Sequence, residues 1–154
     1  MEPLEGKLSR LPRKTAVKIV IDTYAWIELL IGSEAGSRVK DLLEKADEVY
    51  TPDIVLAETA RKFLTEGADE QTINRWIEII INASAIIPID PVIALEAAKC
   101  QLELVKNAKN LKQNTPGLFD AIIYATAKVK GCKIITGDEH FRNLNEVIWI
   151  GNKS

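Results

Sequence analysis

The segment VKIVID at residues 17–22 most constrains what this chain can fold into. Val17, Ile19, Val20 and Ile21 form a nearly unbroken apolar run of β-branched residues. Such a run suits a central parallel strand buried on both faces, where an exposed strand would alternate apolar with polar. Parallel strands cannot be joined by tight turns; each needs a crossover, usually a helix. The rest of the chain is therefore expected to alternate helix with strand.

It does so along its whole length. TYAWIELL after the first run is helical, with Asp22 or Thr23 as its cap. SEAGSRVKDLLEKA carries Val39, Leu42, Leu43 and Ala46 on one face, and DEVYT follows as a short strand. Pro52 suits the first turn of a helix through IVLAETARKFL, which Gly67 ends. EQTINRWIEIIINAS places Ile73, Trp76, Ile77 and Ile80 at helical spacing. AIIPI is a strand limited by Pro88, and PVIALEAAKCQLELVKNA a long helix opened by proline. Beyond the polar loop NLKQNTPG come the helix LFDAIIYATAKVKG, the strand CKIITG, a short helix DEHFRNL and a last strand EVIWIG. Five strands alternating with helices predict one α/β domain over residues 17–154, with a central, mainly parallel five-stranded sheet and right-handed crossovers. Residues 1–16, polar with Pro3 and Pro12, read as a flexible N-terminal extension.

Composition narrows the chemistry. With 47% apolar and 27% charged residues over 154 positions, the chain has the make-up of an ordinary globular domain. The net charge of −2 leaves no global nucleic-acid footprint, so any RNA-binding surface must be local. Cys100 and Cys132 form no CxxC pair, which argues against a zinc knuckle or disulfide scaffold and for reduced thiols in the cytoplasm. One histidine, His140, excludes any mechanism that needs two imidazoles. No apolar run approaches the roughly 18 residues of a membrane span.

Four acidic residues then stand out: Asp22 after KIVI, Glu58 in IVLAETA, Asp120 in GLFDAIIYATA and Asp138 in KIITGDEHF. Taken singly, Asp22 and Asp138 read as helix caps, and Glu58 as a solvated partner of Arg61 or Lys62. Asp120 resists that reading, because Leu118, Phe119, Ala121, Ile122 and Ile123 surround it. Together they share a location. In open parallel sheets ligands bind outside the carboxyl ends of the strands, where strand order reverses. Asp22 follows the first strand and Asp138 follows the fourth; the helices bearing Glu58 and Asp120 can each project over the same edge. Unpaired buried carboxylates cost several kcal/mol, and a hard divalent ion would offset this. Mg²⁺ or Mn²⁺ prefers oxygen ligands and suits phosphodiester hydrolysis by a metal-bound water. A different chemistry, a phosphohydrolase with Asp22 as covalent nucleophile, would want a second aspartate where Tyr24 stands. A non-catalytic RNA-binding module, its acidic residues only capping helices, is the third reading.

The segments IVIDTYAWIELL, LAETARKF, LFDAIIYATAKVKGCKIITGDEHF and the closing VIWI together resemble the PIN-domain family, most closely its VapC-type toxin ribonucleases, over residues 17–150. The resemblance implies a three-layer α/β/α fold and an Mg²⁺- or Mn²⁺-dependent endoribonuclease. It implies Asp22, Glu58, Asp120 and Asp138 as the carboxylate set, with Thr136 helping to hold the site and Thr23 in a similar role or at the helix start. As partners it implies an RNA substrate, an antitoxin protein and a second copy of the chain. Ribosomal RNA processing is the alternative role within the family. Phe141 and Trp149 are expected in the core, Trp26 and Trp76 against it, and His140 at the site rim or simply exposed. Lys106, Lys109, Lys112 and Arg142 are the candidate phosphate contacts, with ordinary solvation as the competing explanation.

Overall fold

The computed structural model describes residues 16–112 and 114–152, so the extension expected over residues 1–16 lies outside them except for Ala16. The elements run β1 (Lys18–Ile21), α1 (Thr23–Ile31), α2 (Glu34–Lys45), β2 (Glu48–Pro52), α3 (Asp53–Thr65), α4 (Glu70–Ala83), β3 (Ala85–Ile87), α5 (Pro91–Asn110), α6 (Leu118–Lys130), β4 (Lys133–Thr136), a single 3₁₀ turn (Glu139–Phe141) and β5 (Val147–Trp149). The strands form one sheet in the order β3-β2-β1-β4-β5, every neighbour pair parallel. The VKIVID run occupies the centre, with Ile19, Val20 and Ile21 buried between β2 and β4, whereas Val17 lies ahead of the strand and is exposed.

Strand order dictates the layers. The chain steps outward from β1 to β2 and β3, then returns to the other side of β1 for β4. With right-handed crossovers this reversal puts the first four helices on one face and the last two on the other. Accordingly α6 packs on α5 and across β1, β2 and β4, while α1 meets α3 and β4. The reversal between β1 and β4 is where a site is expected.

Local chemistry sets the element ends. Asp22, Ser33, Asp69 and Asp90 cap α1, α2, α4 and α5 through side-chain bonds to backbone N–H groups, and Pro91 opens α5. The α1–α2 corner requires Gly36, since a Cβ there would meet the Glu28 carbonyl oxygen at 2.1 Å. Trp26 is fully buried and donates its indole N–H to Thr51 Oγ1 at 3.0 Å, tying α1 to β2.

Two boundaries differ from the sequence expectation. Pro52 ends β2 rather than starting the helix; pairing with β1 has already stopped at Tyr50, so on that side no ladder bond needs its missing N–H. DEHFRNL gives only the one 3₁₀ turn, because Arg142 is extended and Asn143 sits at φ 72°. Phe141 is core, as expected, whereas Trp149 is only half-buried, with Arg142 over its ring at 5.0 Å.

Candidate active site

Each carboxylate reaches the β1–β4 edge from a different element. Asp22 ends the central strand and starts α1, which explains why it is both a cap and only 2% exposed. Its Oδ1 accepts the Ala25 N–H at 2.9 Å, and its Oδ2 accepts a short hydrogen bond from the Thr136 hydroxyl at the end of β4. Thr136 Oγ1 in turn accepts the Asp138 N–H at 3.0 Å. One buried hydroxyl therefore couples the ends of β1 and β4 to the loop that carries Asp138. Asp138 Oδ1 accepts the His140 N–H at 2.9 Å and so caps the 3₁₀ turn.

Glu58 projects from the second turn of α3, where Thr23 Oγ1 donates to its Oε1 at 2.9 Å. Lys62, a candidate partner, pairs instead with Glu66 at 2.8 Å. Asp120 lies in the first turn of α6, where the helix dipole favours negative charge. Its Oδ2 lies 2.8 Å from His140 Nδ1.

The four groups act on one another electrostatically. Burial pushes Asp22 up to about 8; its two hydrogen bonds oppose this and the charges of Asp138 and Asp120 reinforce it. Glu58 is raised by burial first, with Asp120 and Asp138 adding to the effect against the Thr23 bond. Asp120 is raised by burial and by Asp138, while His140 pulls it back. Arg61 eases Glu58 as His140 eases Asp120, yet the upward shifts persist, so the site favours a positive species among its carboxylates. Such a donor set of carboxylate oxygens suits a hard divalent ion, and one oxygen each from Asp120 and Asp138, with a ring nitrogen of His140, lies within a 4.8 Å cluster.

Comparison with known proteins identifies the family and the fold. A family model described as PIN domain matches residues 19–147. The chain belongs to the PIN-domain family. No curated protein matches it by sequence. Among solved structures, a toxin–antitoxin complex from Klebsiella pneumoniae aligns with TM-score 0.60 at 20% identity, covering 86% of this chain and 97% of that one. VapBC2 from Rickettsia felis, bound to a DNA fragment from its promoter, aligns at 0.65 and 14%, covering 86% and 97%. The sarcin–ricin-loop-cleaving toxin VapC20 from Mycobacterium tuberculosis aligns at 0.59 and 19%, covering 84% and 98%. Identities this low speak for the fold, and the PIN three-layer arrangement is the one seen here.

The rim carries contacts that the sequence does not show. Of the two readings of His140, the site rim is the one observed: it touches Asp120 and, through Nε2 at 3.0 Å, the carbonyl of Asn114. No spacing rule could show this, since the three residues belong to different elements. Leu118 and Phe119 stand 51% and 44% exposed beside Asp120 and line, with Glu58 and Gly117, a shallow cavity of about 350 Å³. Arg142, considered as a phosphate contact, has its guanidinium 3.1 Å from Glu139 Oε1. Gly137, between Thr136 and Asp138, is needed for close packing, because a Cβ there would lie 2.3 Å from the Tyr24 ring.

Proposed function

We propose that this PIN-domain protein is a metal-dependent endoribonuclease, using Mg²⁺ or Mn²⁺ to hydrolyse RNA phosphodiester bonds, and that it is the toxin of a type II toxin–antitoxin pair. The observation that carries the reading is the meeting of Asp22, Glu58, Asp120 and Asp138, from four separate elements, at the strand-order reversal. The charges of Asp120 and Asp138, which add to the effect of burial in raising their neighbours' affinity for protons, attract a divalent cation in the same way.

A bound divalent ion would supply a water of lowered pKa and a positive centre for the phosphate. The protein's own groups supply the placement. Asp22 is pre-oriented by Thr136 and the Ala25 N–H, and Glu58 by Thr23, so neither must reorganise on binding. Asp120 and Asp138 complete the oxygen set from the side that His140 braces. Phe119 and Leu118 offer an apolar rim on which an unpaired RNA base can stack. The toxin assignment is supported by the fold: the three structures from toxin–antitoxin systems align over 97–98% of their own chains. On this reading its partners are an antitoxin protein and a second copy of the chain, in the cytoplasm.

The test is RNA cleavage by tag-free protein with and without Mg²⁺ or Mn²⁺, alongside Asp22→Asn and Asp120→Asn purified identically. Loss of cleavage in chelator and in both variants is expected. Full activity of either variant would overturn the site assignment. Growth arrest on expression, relieved by co-expressing the neighbouring small reading frame, tests the toxin role; arrest-free expression of active nuclease would contradict it.

A further inference from the structure

His140 is the chain's one histidine. Its Nε2 faces the Asn114 carbonyl at 3.0 Å. A carbonyl oxygen can only accept, so Nε2 carries a hydrogen and Nδ1 is the atom turned into the site. There Nδ1 lies 2.8 Å from Asp120 Oδ2 and 3.6 Å from Asp138 Oδ1. Its own backbone N–H is fixed on Asp138 Oδ1, which sets where the ring enters. Without an ion, the 2.8 Å contact needs a hydrogen between Nδ1 and Asp120 Oδ2; a cation drawn to the two carboxylates would take that proton's place. A ring nitrogen facing carboxylate oxygens, with the other ring N–H anchored on a backbone carbonyl, is also the arrangement of a metal-bound histidine and its supporting shell.

We infer that His140 is a nitrogen ligand of the divalent ion, binding through Nδ1 together with Asp120 and Asp138. The inference rests on the reading above that the site holds such an ion. It changes the expected metal preference. An all-oxygen site suits Mg²⁺, whereas an imidazole in the set shifts preference along the transition series, towards Mn²⁺ among the two ions considered. Asn114 thereby gains a role as well: its carbonyl holds the ring, linking the loop before α6 to the metal.

The single histidine makes the test unambiguous. Pulsed electron paramagnetic resonance on tag-free protein loaded with one equivalent of Mn²⁺ should show ¹⁴N modulation of directly bound imidazole. Selective ¹⁵N-histidine labelling should convert that signal, and His140→Gln should abolish it while Mn²⁺ still binds. By calorimetry, His140→Gln should weaken Mn²⁺ binding roughly tenfold or more, and Mg²⁺ binding distinctly less. Bound Mn²⁺ without nitrogen coupling, or equal weakening of both ions, would overturn the assignment and leave His140 a brace for Asp120. Asp120→Asn is the separate control, expected to weaken both ions. If the wild type binds neither ion, the metal reading itself fails, and this inference with it.

Discussion

Replacing Asp22 with Asn should stabilise the metal-free protein while abolishing its activity. Asp22 is 2% exposed and its carboxyl is pushed up to about 8, against 3.8 when unperturbed. Between those two values the folded protein keeps a proton that the unfolded chain releases. The unfolded state therefore binds fewer protons, and stability falls as pH rises, by up to ~1.4 kcal/mol per pH unit. At pH 7 the accumulated cost is on the order of 4 kcal/mol. Asparagine removes it but turns an amide N–H₂ towards Thr136, whose hydroxyl already accepts from Asp138 N–H and then lacks an acceptor for its own hydrogen. That loss is worth about 1 kcal/mol, leaving a net gain of about 3 kcal/mol. For a domain of this size the gain is about 10 °C in melting temperature. Thermal melts in chelator from pH 5 to pH 8 should show a variant advantage that widens with pH. The variant's own slope is shallower but not zero, since Asp120 and Glu58 are raised in the same direction. Saturating Mn²⁺ should narrow or reverse the gap, because ion at 100 times its Kd adds ~2.7 kcal/mol to whichever form binds it. A variant that melts at or below wild type at pH 8 in chelator would mean that burying the Asp22 carboxyl carries no such cost.

Other substitutions probe the supports. Thr136→Val keeps shape but strands the Asp138 N–H and one Asp22 oxygen, so a loss of about 1–3 kcal/mol by urea titration is expected, with cleavage reduced at least tenfold. Gly137→Ala forces a Cβ into the Tyr24 ring and should cost about 1–3 kcal/mol. Adding Tyr24→Ala should recover most of that loss in a double-mutant cycle; additive losses would show the clash is not the cause. Thr23→Ala frees Glu58 from its hydroxyl and should lower cleavage while shifting the melting temperature by only a few degrees.

The sheet was legible because its evidence is local. A β-branched apolar run such as KIVI or KII suits a buried parallel strand, Pro91 marks the start of its helix, and Ile73, Trp76, Ile77 and Ile80 give theirs away by spacing. Asp22 and Asp138 were legible in position, as strand-end acids, because β1 and β4 both terminate at the edge that the reversal exposes. Long-range pairings were not. Thr23 with Glu58, Trp26 with Thr51 and His140 with Asp120 join residues 35, 25 and 20 positions apart, and neither periodicity nor composition encodes which side chains meet there. The short helix expected at DEHFRNL failed for a related reason: Asp138 spends its side chain capping a single turn, and the chain then leaves through Asn143 at positive φ to start β5.

We propose that these carboxylates position a metal-activated water against an RNA phosphate. The chemistry of the cut ends distinguishes this from attack by the RNA itself. Attack by water does not involve the ribose 2′-hydroxyl, so an oligonucleotide with one 2′-deoxy residue at the cut position should still be cleaved. Cleavage should leave a 3′-hydroxyl on one fragment and a 5′-phosphate on the other, readable by mass spectrometry. Fragments ending in 2′,3′-cyclic phosphate, or a block by the single 2′-deoxy substitution, would mean that the RNA attacks itself, and would contradict the account.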